Sequence, residues 1–239
     1  MSVALPPKAI LFDVFGTCVD WRTSITRAGE ALGQRLGLMD IDWAAFADAW
    51  RAQYQPQLTS VRSGARPWTR LEILNRESLD TVLTDFGLQQ VSATERDAFN
   101  LAWRYLLPWP DTVAGLHRLK TRFIIAPNSN ADIALAVGMA KFAHLPWDVI
   151  LGAEVAQHYK PQPEVYLRSV AALGLTPPEV VMVAAHNEDL VAAGALGLQT
   201  AFIPRPLEHG PGQTNDLHPE HTFTYVARDL HELAAQLGA

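Results

Sequence analysis

The sequence is short of several things, and each shortage narrows what the protein can be. It has one cysteine, Cys18, in 239 residues, so no intramolecular disulfide can form. No Cys/His cluster has the spacing of a structural zinc site. Charged residues make up only 18%, and the formal net charge of -6 leaves no basic footprint for nucleic acid. No apolar run is long enough to span a bilayer, and Met1 to Lys8 lacks the apolar stretch of a signal peptide. A disulfide scaffold, a nucleic-acid binder and a membrane protein are therefore all disfavoured, and a cytoplasmic setting is expected. Internal repeats and low-complexity tracts are also missing.

What is present is apolar. Hydrophobic residues make up 49% of the chain, enough for one α/β core with an inserted subdomain. Lys8 to Val14 read as a buried strand, because Ala9 to Phe12 run continuously apolar up to Asp13, as in a parallel strand covered on both faces. From about Thr23 to Tyr105 the pattern is helical, with Trp43, Phe46, Trp50 and Tyr54 at helical spacing and no convincing strand. Beyond Pro108-Trp109-Pro110, strands and helices alternate. Strands are predicted at Phe123 to Ala126, Val149 to Leu151, Val180 to Ala185 and Thr200 to Ile203. Helices are predicted at Ala131 to His144, Pro163 to Leu173 and Asp189 to Leu196. Such alternation predicts a doubly wound parallel sheet, a Rossmann-like α/β core, with an all-helical insertion after its first strand. The division expected is a core of residues 1–18 and 107–239 and a helical cap of residues 19–106. Glu208 to Glu220, with Gly210-Pro211-Gly212, reads as a surface loop.

In open parallel sheets, ligands bind beyond the carboxyl ends of the strands. The polar residues delivered there are Asp13 from the first strand, and Ser129 and Asn130 from the second. Lys160 comes from the loop before the proline-started helix, and His186, Asn187 and Asp189 follow the next strand. One carboxylate, one hydroxyl, one lysine and a further acid thus converge from four segments.

In order and spacing, these segments resemble the motifs of the haloacid dehalogenase superfamily, and more narrowly the type II L-2-haloacid dehalogenases. The motifs are Asp13-Val14-Phe15-Gly16-Thr17, Ser129-Asn130, Lys160-Pro161 and His186-Asn187-Glu188-Asp189. The resemblance covers the core, and the helical insertion is similar to the family's cap. It implies hydrolysis of short 2-haloacids (haloacetate, L-2-halopropionate) to 2-hydroxy acids through an ester on Asp13. The implied partner is a small halogenated carboxylic acid, with no cofactor, and relatives suggest a homodimer. Lys160 would lower the pKa of Asp13. Asp189 would pair with Lys160 and help orient or deprotonate water. Thr17 and Ser129 would hydrogen-bond the carboxylates of nucleophile or substrate, and the N–H groups of Val14 and Phe15 would donate to the substrate carboxylate. Arg51 matches the family's halide-receiving arginine, Asn130 a second halide contact, and Tyr166 a tyrosine near the site. Asn187, beside His186, joins the substrate-binding candidates.

The branch also has a physical argument. Phosphatases of this superfamily carry a second aspartate two residues after the nucleophile, which protonates a poor alkoxide leaving group. That position is Phe15, which can donate nothing. A halide leaves without a proton, so it needs only a carboxylate aimed at carbon and a pocket for the anion. A Mg²⁺-dependent phosphatase or phosphonate hydrolase is the rival within the superfamily, with Asp13, Glu188 and Asp189 as its acids. A catalytically idle binding protein on the same fold is the rival from another class.

Departures from the family pattern are Asn128 before the Ser-Asn pair, Ala131 after it, and Ala184-Ala185-His186 where relatives show Ser-Ser-Asn. His186 adds a titratable group and leaves open which residue positions the hydrolytic water. Plainer readings stand beside the functional ones. Lys160 could be a surface lysine, Asp189 a helix cap, Arg51 a solvated helix residue and His186 a structural histidine. The cap aromatics read as packing, Cys18 as a small buried residue, and His209, His218 and His221 as loop residues of no assigned role.

Overall fold

The computed structural model describes residues 5–239. Its centre is β1 (Ala9–Phe12), four residues with every side chain out of solvent. An unbroken apolar run can be buried this way only with layers on both faces. Two such layers are present: Ile10 and Phe12 pack into one hydrophobic cluster, Ala9 and Leu11 into the other. Each large side chain so buried contributes about 1.5–3 kcal/mol.

The chain then makes β2 (Val19–Asp20), followed by helices α1 (Trp21–Leu36), α2 (Trp43–Ala52), α3 (Tyr54–Arg62), α4 (Leu71–Asp85) and α5 (Ala93–Asn100). A 3₁₀ turn at Leu101–Arg104 leads into β3 (Leu107–Pro108), which pairs antiparallel with β2. Both ends of the helical insertion therefore pass through one short ribbon. The insertion has its own aromatic core, in which Trp43, Phe46 and Trp50, read as packing from the sequence, are joined by Phe99 and Trp103. Gly29 and Gly33 on α1 make room for Trp43: a Cβ on either would run into its indole.

The remainder alternates: α6 (Thr112–Lys120), β4 (Ile124–Ser129), α7 (Ile133–Phe142), β5 (Leu151–Gly152), α8 (Ala153–Ala156), α9 (Pro163–Ala172), β6 (Val180–Ala184), α10 (Asn187–Ala195), β7 (Gln199–Phe202), β8 (Tyr225–Val226) and α11 (Leu230–Gln236). The six-stranded sheet has the order β5-β4-β1-β6-β7-β8, and every neighbouring pair is parallel. The chain winds outward from β1 through β4 to β5, then returns to the other side of β1 with β6. The winding reverses between β1 and β6, and their C-terminal ends open the crevice where such sheets bind ligands.

Several elements differ from the sequence prediction. β4 runs on through Pro127 and Asn128 to Ser129, because parallel pairing with β1 and β5 overrides the weak strand preference of those residues. α10 starts at Asn187 rather than Asp189, with His186 at its N-cap. β2, β3 and β8, two residues each, are too short to carry a periodic signal. No helix among the described residues is long and apolar enough to cross a membrane.

Candidate active site

Asp13 follows β1 directly and is 9% exposed, so its carboxylate must find partners in the protein. One oxygen lies 3.3 Å from Lys160 Nζ. The other accepts from Thr17 Oγ1 at 2.9 Å and sits 3.2 Å from His186 Nδ1. Thr17 is fixed in turn, since its hydroxyl oxygen accepts from the Ala185 N–H at 2.9 Å and its carbonyl accepts from Arg205 Nε. Burial alone would raise the pKa of Asp13. Lys160, then His186 and Thr17, overcome burial and hold the carboxyl far below the usual carboxylate range.

Lys160 bridges two acids. Its Nζ is 2.6 Å from Asp189 Oδ2, and Tyr166 Oη donates to Asp189 Oδ1 at 2.5 Å. Burial acts to lower the Lys160 pKa, but Asp189 and Asp13 raise it, so the ammonium persists. Asp189 stands in the first turn of α10, yet its side chain serves Lys160 and Tyr166 rather than capping the helix.

His186 joins Asp13 to an acid that the sequence did not reveal. Its Nε2 lies 2.8 Å from Glu208 Oε2, and the other Glu208 oxygen accepts from Trp21 Nε1 at 3.0 Å. Burial lowers the His186 pKa, but Glu208 and Asp13 outweigh it and carry the imidazole well above its ordinary 6.5. Glu208 is itself buried, which raises its pKa; His186, His209 and Arg51 bring it back below the usual value. The expectation that Glu208 to Glu220 is merely a surface loop needs correcting at this residue, which is 1% exposed. Gly16 has φ +81° and its missing side chain leaves the space the Glu208 carboxylate occupies. His209, given no role from sequence, packs edge-on against Trp21 and lies 3.7 Å from Glu208.

Arg51, at the end of α2, places its guanidinium over Tyr54 at 4.0 Å, Trp21 at 5.4 Å and Phe15 at 5.6 Å. Among the described residues it has no salt-bridge partner, so a cation held by aromatic faces is left for an incoming anion. Phe15 is 2% exposed and packs edge-on against Trp103, a fixed apolar wall. Asp13, Phe15, Arg51, Lys160, His186 and Asp189 all line one cavity of about 1090 Å³ between the helical insertion and the sheet edge. The backbone N–H groups of Val14 and Phe15 have no protein acceptor among the described residues.

Three candidates sit differently from expectation. Ser129 is buried and its hydroxyl oxygen accepts from the Ala131 N–H at 3.1 Å, so it braces its own turn rather than meeting Asp13. Asn187 spends its amide on the 208–220 loop, donating to Asp216 and the His218 carbonyl and accepting from the Glu220 N–H. It lines the cavity, but its amide anchors the loop that folds over the N-terminus of α10. Asn130 reaches the cavity wall, but its Oδ1 accepts from the Lys160 N–H and its Nδ2 donates to Tyr54 Oη, each at 2.8 Å.

The charge state of His186 is directly measurable. By ¹⁵N NMR its ring is expected to remain an imidazolium at neutral pH and to lose its proton only well above 6.5. Because the folded value is raised, this pairing stabilises the protein below 6.5 and is lost as pH rises through the folded midpoint. Glu208→Gln removes the charge that contributes most to the rise, so the midpoint should fall. An unmoved midpoint would show that Glu208 does not set it.

The chain matches the family model of haloacid dehalogenase-like hydrolases over residues 7–197, and it belongs to that family. Within the family its similarity is to enzymes acting on 2-haloacids. A crystal structure of a defluorinating L-2-haloacid dehalogenase is 49% identical, with 98% of this chain and 96% of that one covered and a TM-score of 0.95. A second L-2-haloacid dehalogenase is 46% identical, covering 97% and 99%, with a TM-score of 0.94. The (S)-2-haloacid dehalogenase 4A of Burkholderia cepacia is 26% identical over 225 residues, 89% of this chain and 94% of its own length.

Proposed function

We propose that this protein hydrolyses the carbon–halogen bond of short L-2-haloacids, with Asp13 as nucleophile. The observation that carries the reading is the buried Asp13 carboxylate held by Lys160, Thr17 and His186, on the same loop as Phe15, where a phosphatase needs an acid. In this reading the core of residues 1–18 and 107–239 supplies the nucleophile, and the cap of residues 19–106 supplies Arg51. The substrate carboxylate meets the N–H groups of Val14 and Phe15. Asp13 attacks the halogen-bearing carbon, and the halide departs toward Arg51 in its aromatic cage. The similarity to a defluorinating enzyme extends the expected substrates to fluoroacetate.

The donor set argues against a Mg²⁺ role. Both Asp189 oxygens are engaged by Lys160 and Tyr166, and the Lys160 ammonium already lies between Asp189 and Asp13. A substrate with one negative charge needs no second cation beyond these.

A single experiment tests nucleophile and cofactor together. Enzyme in excess over L-2-chloropropionate is taken through one turnover in ¹⁸O-water containing EDTA. Chloride release with the label in the Asp13 carboxylate is expected, read by mass spectrometry of the peptide around Asp13. Label in lactate alone would make Asp13 a general base, and loss of activity restored by Mg²⁺ would favour the phosphatase-like reading.

A further inference from the structure

Lys160 is held at its head group by Asp13 and Asp189, but its backbone is held from the other side of the cavity. Its N–H donates to Asn130 Oδ1, and the same amide donates to the Tyr54 hydroxyl on α3. Its carbonyl accepts directly from Arg62 Nη1 at 2.7 Å, and Arg62 closes α3. The Arg62 guanidinium is braced on its own helix by Thr59 Oγ1 at 2.7 Å and Gln55 Oε1 at 3.2 Å. Both backbone groups of the lysine that charges the nucleophile thus lead to one helix of the cap. The first residue of that helix, Tyr54, also carries the Arg51 guanidinium on its ring.

We infer that Arg62 is a positioning residue of the dehalogenation reaction, which sets the register of Lys160 against Asp13 and ties it to the placement of the cap. The inference rests on the Asp13–Lys160 reading above. A charge-assisted hydrogen bond to a single carbonyl fixes that carbonyl more firmly than a neutral one does. Two contacts hold the cap to the core without Arg62: Asn130 Nδ2 donates to Tyr54 Oη at 2.8 Å at the start of α3, and Tyr159 Oη donates to the Thr69 carbonyl at 2.6 Å just before α4, so α3 stays docked when Arg62 is removed. What is lost is the local constraint. An ammonium free to drift from a carboxylate it meets at 3.3 Å holds that carboxylate's pKa down less well and orients it less well.

The test compares wild type, Arg62→Met and Arg62→Lys on L-2-chloropropionate across the pH range, with thermal melts as a folding control. Arg62→Met is expected to lower kcat by roughly 10- to 100-fold, the scale of a misplaced catalytic group. KM should change little, and the acid limb of kcat should move to higher pH as Asp13 becomes easier to protonate. Arg62→Lys, which keeps a donor and a charge, should recover part of the rate and return the acid limb toward wild type. A rise in KM with kcat and the acid limb unchanged would overturn the inference and make Arg62 a substrate contact. A drop in kcat with an unshifted acid limb and no recovery in Arg62→Lys would overturn it too, leaving a purely structural residue. Wild type inactive on every 2-haloacid would instead fail the proposed function.

Discussion

Asparagine in place of Asp13 is expected to abolish turnover while leaving the fold intact. An amide cannot form the ester, and the two nearest acids are already engaged: Asp189 is spent on Lys160 and Tyr166, and Glu208 on His186 and Trp21. Loss of roughly four or more orders of magnitude is the usual result of deleting a nucleophile that works as one unit with its neighbours. The fold should survive because neither cation is stranded. Lys160 keeps Asp189 at 2.6 Å and His186 keeps Glu208 at 2.8 Å. This matters because removing the sole partner of a buried charge is strongly destabilising. The variant should melt close to wild type and release no halide, measured in protein that mass spectrometry shows to be free of deamidation at the substituted position. More than a few per cent of residual activity in such a sample would remove Asp13 from the centre of the reaction.

The parts of the site that could be read in the sequence are those presented by strand ends. Asp13 ends an apolar run, and a buried run of that kind leaves few architectures open. Lys160 and Asp189 follow from the same alternation of strand and helix, and the structure brings them together at 2.6 Å. Arg51 needed the family resemblance, because its helix is amphipathic and a charged residue there is ordinarily solvated. Its cage of Phe15, Trp21 and Tyr54 is assembled from the nucleophile loop, the start of α1 and the start of α3. Glu208 could not be read. It lies in a polar stretch with proline and glycine, and its burial is made by Trp21 from α1 and by a glycine at position 16. The one available signal was Gly16 itself, which says that something approaches the backbone there without saying what. Ser129 and Asn187 are engaged elsewhere for the opposite reason. Their positions beside the motifs are right, but side-chain direction is decided by hydrogen bonds to Ala131 and to the 208–220 loop. Such choices belong to tertiary structure, beyond the reach of spacing.

Alanine in place of His186 is expected to stop the reaction between its two halves. In the resting site His186 has Nδ1 toward Asp13 and Nε2 toward Glu208, and these two carboxylates favour its imidazolium form. A protonated ring cannot accept a proton, so it is not yet a base. Formation of the ester changes this. Asp13 loses its negative charge when its oxygen bonds to carbon and the halide leaves with the electron pair of the broken bond. One of the two charges that raised the imidazole is then gone, and the Nδ1 proton can pass to solvent. Glu208 retains the Nε2–H and keeps the ring oriented. Nδ1, beside the ester carbonyl, now takes a proton from the attacking water, and collapse of the adduct returns Asp13 to carboxylate, frees the hydroxy acid and restores the imidazolium. One proton is released per turnover, as hydrolysis of a carbon–halogen bond in a carboxylate requires. Without His186, ester formation should persist, because Lys160 and Thr17 still hold Asp13 charged and aimed. Hydrolysis of the ester should slow by about 10²–10⁴-fold, the usual contribution of a general base. Rapid mixing would then show a burst of one halide per enzyme followed by a slow phase, with the protein heavier by the carboxyalkyl fragment esterified to Asp13. The substitution leaves Glu208 without its nearest cation, so the double variant His186→Ala, Glu208→Gln, which removes that buried charge, should trap the same ester. Halide release slowed from the first turnover in both variants, with no heavier protein, would place His186 in the carbon–halogen step instead.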